Sequence, residues 1–265
     1  MQDGMVSILS DILAHKKQEV AEWKKARPLE ILEQDAAEKP APPPFAAALL
    51  AAPIGLIAEV KRRSPSAGAL REPFEPAAIA KAYQKAGAQA VSVLMDQKYF
   101  AGGEEAFRAA RAAVGLPLLY KEFVVDPWQI WHARTLGASA VLLIVAALRD
   151  AELTRFLGEA RAAGLEALVE VHNEIELERA ADAGARCIGV NNRNLMNFTV
   201  HLAVTERLRP LAPPDCTFVS ESGIRRPADV TRLLEAGVNA ILVGEQLLRQ
   251  PDLEIAVADL MSEVW

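Results

Sequence analysis

The sequence is poor in the residues that build disulfide frameworks and metal centres. Its 265 residues include 2 cysteines and 4 histidines. Cys187 and Cys216 each lie inside an apolar segment and share no metal-binding spacing. This excludes a disulfide framework and a zinc ribbon and indicates a reducing compartment. The histidines are scattered, and neither H-x-x-x-H nor H-E-x-x-H occurs. We therefore expect no metal site and a cytoplasmic location.

Nucleotide-binding loops and an excess of positive charge are also missing. No glycine-rich Walker loop occurs, so nucleotide hydrolysis has no basis in the sequence. The chain has 35 acidic residues against 29 lysines and arginines, which gives a formal net charge of −6. An acidic chain argues against nucleic acid as a partner.

We expect neither a signal peptide nor a membrane-spanning segment. The start of the chain carries Asp3 and Asp11 and has no cationic segment followed by an apolar run. Residues 41–58 are uncharged and mostly apolar, but four prolines interrupt them. Because proline lacks a backbone donor and clashes with the preceding turn, one continuous helix cannot form there. We predict a proline linker, a short helix over residues 45–51 and then the first strand.

What the sequence does contain is a repeated unit, in which a helix ends at a glycine and a short apolar run follows. Glycine after a helix is typical of a left-handed cap, and the apolar run is typical of a fully buried strand. Segments with helical periodicity separate the runs. Eight candidate strands lie within residues 54–60, 85–94, 114–120, 135–144, 162–171, 182–191, 213–220 and 235–244.

Strands that alternate with helices predict an α/β fold with a parallel sheet and right-handed crossovers. Eight units favour a closed (β/α)₈ TIM barrel. The alternative is an open doubly wound sheet, which usually has fewer strands and often a G-x-G-x-x-G turn that is absent here. We predict a single domain over 1–265, with an N-terminal helical extension over 1–48 and the barrel over 49–265. An amphipathic helix is expected over residues 10–33.

Ionisable side chains stand at the carboxyl ends of several predicted strands, where parallel strands normally continue as apolar sequence. These residues are Glu59, Lys61, Lys121, Glu170, Arg193 and Glu221. Either they are ordinary polar residues that open exposed loops, or they neutralise one another around a cavity, since unpaired buried charges are costly. Glu59 and Lys61 are two residues apart and point to the same side. The carboxyl ends of the strands are where TIM barrels keep their active sites, so we favour the cavity.

Small residues after the last two predicted strands suggest a phosphate site. Ser222 and Gly223 follow the seventh strand, and Gly244 and Glu245 follow the eighth. Backbone N–H groups at such turns bind anions, and TIM barrels often hold phosphate after strands 7 and 8. The alternative is that these glycines only make tight turns. The cationic loop over residues 62–68, which includes Ser64, could reach the same ligand.

Seven motifs on successive predicted strands resemble the indole-3-glycerol-phosphate synthase family of tryptophan biosynthesis. They are IAEVKRRSPSAG (57–68), SVLMDQKYFAGG (92–103), YKEFVVDPWQI (120–130), ALVEVHNEIELERA (167–180), IGVNNRNL (188–195), VSESGI (219–224) and ILVGEQLL (241–248). The resemblance implies ring closure of 1-(2-carboxyphenylamino)-1-deoxyribulose 5-phosphate, with loss of CO₂ and water. It implies no cofactor and no metal, and we expect a monomer that acts on this phosphorylated small molecule.

The resemblance also suggests a role for individual residues. Lys121 is the expected general acid for the substrate ketone, and Glu170 is the expected general base. The other expected catalytic groups are Glu59, Lys61, Asn191 and Glu221. The expected contacts of the anthranilate ring and its carboxylate are Arg193, Phe123, Phe100 and Pro65. The expected phosphate contacts are Ser64, Ser222, Gly223, Gly244 and Glu245.

The chemistry of the reaction agrees with these residue types. Attack of a ring carbon on the ketone, and later loss of a hydroxyl, both require an acid, whereas restoring aromaticity requires a base. We expect neighbouring cations to lower the pKa of the acidic lysine. The chain departs from the family pattern at five positions, none of which removes a proposed catalytic group. They are Ala67, Met95, Tyr120, Glu122 and His201.

Two other functions compete with this one. One is another phosphate-binding barrel, such as phosphoribosylanthranilate isomerase, which would normally lack the extension and the first-strand motif. The other is a non-catalytic barrel that binds a phosphorylated ligand or a protein partner. That second function predicts loss of Lys61, Lys121 or Glu170, and all three are present.

Overall fold

The computed structural model describes residues 8–64, 68–194 and 198–265, and its centre is a closed barrel of eight parallel strands. The strands follow one another around the barrel in chain order, and the last pairs with the first. Ile57 of the first strand is paired with Ala90 of the second strand on one side and with Leu242 of the last strand on the other. The strands are β1 (Gly55–Val60), β2 (Ala90–Leu94), β3 (Leu118–Lys121), β4 (Ala140–Ile144), β5 (Glu166–Val171), β6 (Cys187–Asn191), β7 (Thr217–Glu221) and β8 (Ala240–Val243). The predicted (β/α)₈ TIM barrel is confirmed.

Helices precede the barrel and lie between its strands. Before β1 come α1 (Ile8–Ala26), α2 (Leu29–Ala37) and α3 (Phe45–Leu49). Between β1 and β5 lie α4 (Pro76–Lys85), α5 (Gln97–Phe100), α6 (Glu104–Ala113), α7 (Pro127–Thr135) and α8 (Asp150–Ala162). The later helices are α9 (Glu174–Asp182), α10 (Ala203–Leu208), α11 (Pro227–Glu235), α12 (Glu245–Leu248) and α13 (Leu253–Leu260). Two-residue strands, Arg63–Ser64 and Gly68–Ala69, form a small antiparallel pair after β1.

The repeated glycine marks the point where a helix gives way to the next strand. Gly137 has a φ of 81° and lies between the end of α7 and the start of β4. Only glycine adopts this left-handed conformation without strain, so it ends the helix and turns the chain into the barrel. The same conformation recurs at Gly87, Gly164, Gly184 and Gly237. This confirms the repeat inferred from the sequence.

The short helix α3 closes the amino-terminal end of the barrel. Phe45 and Leu49 are fully buried and pack against the inner layer of barrel side chains. The carboxylate of Glu166, at the start of β5, accepts hydrogen bonds from the backbone N–H groups of Phe45 and Ala46 at 2.5 and 3.0 Å. This acid therefore satisfies orphan donors at the start of the helix instead of contributing to the opposite rim.

The helix expected over residues 10–33 is two helices. The prediction of one continuous helix was wrong because Pro28 stands inside it, between α1 and α2. Proline removes a helical donor and clashes with the preceding turn. The break is fixed by the indole N–H of Trp128, which donates to the carbonyl of Arg27 at 2.7 Å. The extension is thereby attached to α7.

A buried ammonium group attaches α1 to the carboxyl-terminal rim of the barrel. Lys16 is fully buried. Its Nζ lies 2.8 Å from Glu19 Oε2 and 3.0 Å from both Asp96 Oδ2 and Glu122 Oε2. Asp96 follows β2 and Glu122 follows β3, so one cation joins the extension to two barrel loops.

Replacing Lys16 with methionine should lower the free energy of unfolding by about 3 kcal/mol or more, because three carboxylates would lose their buried counter-ion. Urea denaturation of both proteins measures this change. Lys17→Met is the matched control, since Lys17 is exposed on the same helix turn and its loss should change stability by less than about 0.5 kcal/mol. Equal effects of the two substitutions would contradict the role given to Lys16.

Across residues 8–64, 68–194 and 198–265, no helix has both the length and the apolar character needed to span a membrane.

Candidate active site

A cavity of about 530 Å³ opens at the carboxyl ends of the strands. It brings together every predicted site residue that the structure describes, whereas Pro65 lies outside the described residues. Those residues are Glu59, Lys61, Ser64, Phe100, Lys121, Phe123, Glu170, Asn191, Arg193, Glu221, Ser222, Gly223, Gly244 and Glu245. The strand-end charges therefore surround one cavity.

Lys121 stands at the end of β3 between two carboxylates. Its Nζ lies 2.6 Å from Glu221 Oε2 and 3.2 Å from Glu170 Oε2. Burial alone would lower the pKa of Lys121, but the charges of Glu221, Glu170 and Glu59 outweigh burial and raise it. The expectation of a lowered pKa was wrong, because carboxylates and not cations are its nearest neighbours.

Glu170, near the end of β5, is held in its ionised form. Burial would raise its pKa, but Lys121 and His172 hold the pKa well below its usual range. The Nδ2 of Asn191 donates to Glu170 Oε1 at 3.3 Å. This carboxylate is thus oriented from three sides and is ready to accept a proton.

Glu221, at the end of β7, behaves differently from Glu170. Burial, opposed by Lys121 and assisted by the charge of Glu170, raises the pKa of Glu221 to about 7. Within the described part of the chain its Oε1 has no hydrogen-bond partner. The two carboxylates that share Lys121 thus differ in pKa, and Glu221 can hold a proton near neutral pH while Glu170 stays ionised.

The first strand contributes a second pair of charges. Lys61 Nζ contacts Glu59 Oε1, so the two side chains share one side of the strand as their spacing predicts. Glu59 is in turn packed against Gly244, where an added Cβ would lie 2.3 Å from Glu59 Oε1. Gly244 therefore leaves room for this carboxylate at the rim.

Gly189 is a site residue that sequence reasoning missed. It lies in β6, and an added Cβ would come within 2.2 Å of Glu221 Oε1. Glycine in a strand can mark a close approach of this kind, but the partner becomes visible only once the strands are paired.

Gly189→Ala should therefore displace the Glu221 carboxylate and, with it, Lys121. We expect a folded protein whose kcat is about 10-fold to 100-fold lower, since small misplacements of catalytic groups are costly. Gly158→Ala is the control, because an added Cβ in α8 would meet nothing within 4 Å. Unchanged turnover in Gly189→Ala would contradict this account.

One side of the cavity is apolar. The rings of Phe100 and Phe123 pack against each other at an angle of 36°, with centroids 6.1 Å apart. Three side chains of the extension also line the cavity, namely Ile8, Leu9 and Ile12. None of these three residues was predicted from the sequence as part of the site. Together they form an apolar wall against which an aromatic ring can pack.

The other end of the cavity is suited to an anion. Ser222 and Gly223 follow β7 with φ angles of 68° and 85°. Arg225 and Arg249 line the cavity as well, although the sequence analysis did not select them. The side chain of Arg249 pairs with the carboxylate of Glu245, a predicted phosphate contact, at 3.1 Å. Glu245 can therefore contact an anion only through its backbone.

Of the described departures from the family pattern, only Glu122 lines this cavity, and Ala67 is outside the described residues. Tyr120 is buried against Phe107 and His132, and Met95 is buried in the outer core. His201 is exposed. Glu122 lines the cavity and binds Lys16.

Glu122 should make stability depend on pH. Burial, opposed by Lys16, raises the pKa of Glu122 to about 7. Between about pH 4.5 and 7, Glu122 keeps its proton in the folded chain but releases it in the unfolded chain. The folded state therefore loses stability as the pH rises through this window. Glu122→Gln should therefore become more stable relative to the wild type across that window. Chemical denaturation at several pH values measures the difference, and a constant difference would contradict the shift.

No group of three or more histidine, cysteine, aspartate or glutamate side chains in the described ranges is arranged to hold a metal ion. The cavity chemistry that the structure displays is that of acids, bases and anion-binding groups.

Comparisons with known proteins identify the family of this chain. A family model for indole-3-glycerol phosphate synthase matches residues 9–260. The chain is 46% identical to indole-3-glycerol phosphate synthase of Laribacter hongkongensis over 97% of this chain and 100% of that one. It is 45% identical to the chloroplastic enzyme of Arabidopsis thaliana over 98% of this chain and 68% of that one. Thiamine phosphate pyrophosphorylase from Pyrococcus furiosus has a similar fold, with a TM-score of 0.61 and 16% identity over 79% of this chain and 95% of that one. The chain belongs to the indole-3-glycerol phosphate synthase family.

Proposed function

We propose that this protein closes the indole ring of 1-(2-carboxyphenylamino)-1-deoxyribulose 5-phosphate, with Lys121 as the general acid and Glu170 as the general base. The observation that carries the assignment of roles is the position of Lys121, which is buried between Glu170 and Glu221 at the floor of the cavity. An acid and a base that are in contact can act on the same substrate carbon skeleton.

The first step joins the ring carbon that bears the carboxylate to the ketone carbon. As this bond forms, the electron pair of the carbonyl moves to oxygen, and Lys121 donates a proton to that oxygen. With its raised pKa, Lys121 enters the reaction as a cation that carries the proton. The benzene ring loses its aromaticity, and the nitrogen lone pair compensates the electron deficiency.

Loss of CO₂ follows, because the bond to the carboxyl carbon returns its electron pair to the ring and restores the benzene system. The new hydroxyl then takes a second proton and leaves as water. Glu170 removes the proton from the carbon next to nitrogen, which completes the indole. Two protons are delivered to oxygen and one is removed from carbon, so the balance requires one proton from solution.

The shape of the cavity explains how the substrate would be held. The carboxyphenyl ring packs against the apolar wall that includes Phe100 and Phe123. Arg193 and Lys61 supply positive charge for its carboxylate. Ser64, Ser222, Gly223, Gly244 and Glu245 supply contacts for the phosphate at the opposite end. Fixing both ends bends the chain between them and brings the reacting carbons together, which supplies much of the rate.

Incubating the purified chain with the carboxyphenylamino-deoxyribulose phosphate tests this proposal. We expect a fluorescent indole product in the presence of a metal chelator, and competitive inhibition by a reduced, non-cyclising substrate analogue. If the folded protein produces no indole, the proposed function is wrong.

We further propose that residues 1–265 act as one domain, with residues 1–48 as the extension and 49–265 as the barrel, and as a monomer in the cytoplasm without nucleic acid or cofactor. Two free, buried cysteines support a reducing location. The large apolar side chains exposed in the described ranges come from separate elements or loops, which supports a monomer. Light scattering of the purified protein measures its molar mass in solution and so tests whether it is a monomer.

A further inference from the structure

His172 connects the proposed general base to a second carboxylate outside the cavity. It directly follows β5, two residues after Glu170. Its Nε2 lies 3.3 Å from Glu170 Oε1, and its Nδ1 lies 2.9 Å from Glu176 Oε2. His172 is largely buried and does not line the cavity, so it reaches the substrate only through Glu170.

Glu176 is itself held in place. Its Oε2 accepts the backbone N–H of His172 at 2.8 Å, and its Oε1 accepts the side-chain N–H of Asn173 at 2.9 Å. The imidazole therefore lies between two carboxylates, hydrogen-bonded to Glu176 at the start of α9 and within ion-pair distance of Glu170. Such an arrangement determines both the orientation of the ring and its charge.

Apart from His172, the charged and polar groups around Glu170 come from three strands. Lys121 from β3 and Asn191 from β6 contact its carboxylate, and Glu221 from β7 shares Lys121 with it. Lys121 is therefore the principal cavity cation paired with Glu170. When Lys121 gives up its proton, that pairing is lost, and a buried carboxylate without a cation would itself take up a proton.

We infer that His172 is a positioning residue that stays cationic and keeps Glu170 ionised and correctly oriented while Lys121 transfers its proton. This inference rests on the proposed function and identifies His172 as a second cation beside Glu170, after Lys121. The general base then remains a base during the step in which the general acid acts. Lys121 thus acts as the acid and Glu170 as the base, although the two side chains are in contact.

The electrostatic surroundings of the ring support a persistent cation. Burial would lower the pKa of His172, but Glu170 and Glu176 outweigh burial and raise it to about 10. His172 is therefore protonated throughout the neutral range. The imidazolium in turn contributes to the lowered pKa of Glu170.

His172→Gln tests the inference through the pH dependence of kcat/KM. Glutamine keeps a hydrogen-bond donor but loses the charge, so the coupled pair Glu170 and Glu221 should hold its proton to higher pH. We expect the acid limb to move upward by about 1 pH unit, as for a lost charge at this distance, with KM little changed. A merely structural role would lower the rate and leave the limb in place, and that result would overturn the inference.

His132→Gln is the matched control. His132 is also buried and also contacts a glutamate, with its Nε2 3.0 Å from Glu104 Oε2, but it lies on α7 outside the cavity. Its replacement should leave the acid limb where it is. An equal shift in both variants would show that the effect is not specific to the neighbour of Glu170 and would overturn the inference.

Nitrogen NMR of labelled histidine provides a readout that does not need turnover and uses the wild type and Glu176→Gln. Both ring nitrogens of His172 should carry protons from neutral to mildly alkaline pH, and the Glu176→Gln exchange should lower the pKa of the ring. A neutral imidazole in the wild type near pH 7 would overturn the inference, even if His172→Gln fails to fold. Absence of indole formation by the wild type would instead contradict the proposed function.

Discussion

Replacing Lys121 with methionine is expected to abolish ring closure while leaving the binding of phosphate analogues intact. Among the described side chains of the cavity, only Lys121 hydrogen-bonds to both Glu170 and Glu221. General acid catalysis contributes about 10² to 10⁴-fold. Because Lys121 also holds both carboxylates in place, kcat should fall by the upper part of that range, about 10³ to 10⁴-fold. Single-turnover fluorescence measures the rate, and calorimetry measures the binding of the analogue.

The control for this substitution is Lys85→Met. Lys85 is exposed on α4 and pairs with Glu254, away from the cavity. Its loss should leave turnover unchanged. Methionine at position 121 also leaves two buried carboxylates without their cation, so the unfolding free energy is measured in parallel. Full activity of a folded Lys121→Met protein would show that the assigned acid is wrong.

Replacing Glu170 with glutamine is expected to lower kcat by about 10² to 10³-fold with a small change in KM. The amide has the same size as the carboxylate, but it cannot accept the proton that must leave the carbon next to nitrogen. It also removes a negative charge beside Lys121, which should lower the pKa of that lysine. Steady-state kinetics with the fluorescent product separates the two parameters.

Glu166→Gln makes a matched comparison on the same strand. Glu166 lies at the opposite end of β5, where it accepts hydrogen bonds from the first N–H groups of α3. This substitution should lower stability slightly and leave kcat unchanged, because an amide oxygen still accepts a hydrogen bond. If both variants lost the same activity, the effect would reflect the integrity of β5 and not base catalysis.

The barrel could be predicted from the sequence because its signals are local. Each strand is a buried apolar run that follows a glycine cap, and such runs need no knowledge of distant residues. The clustering of strand-end charges also followed, since parallel strands place all their carboxyl ends at one rim. Pro28 was an equally local signal, and the single helix predicted across it ignored the missing donor.

The details of the site depend on contacts between distant strands. The raised pKa of Lys121 follows from carboxylates on β1, β5 and β7, which sequence spacing does not reveal. Gly189 matters only because Glu221 faces it across the sheet. The position of His172 could have been inferred from the sequence, because residues two apart in an extended chain point to the same side and His172 is two residues after Glu170. Lys16 had none, since an ordinary helix lysine becomes buried only when α1 docks on the rim.

The central claim is that one rim site, with Lys121 between two carboxylates, couples carbon–carbon bond formation to the loss of CO₂. The most direct measurement uses a substrate with an isotopically labelled carboxyl group and follows labelled CO₂ and indole-3-glycerol phosphate together. The account predicts equal amounts of the two products from the wild type and neither from Lys121→Met. Release of CO₂ without the indole product, or equal yields from both proteins, would contradict it.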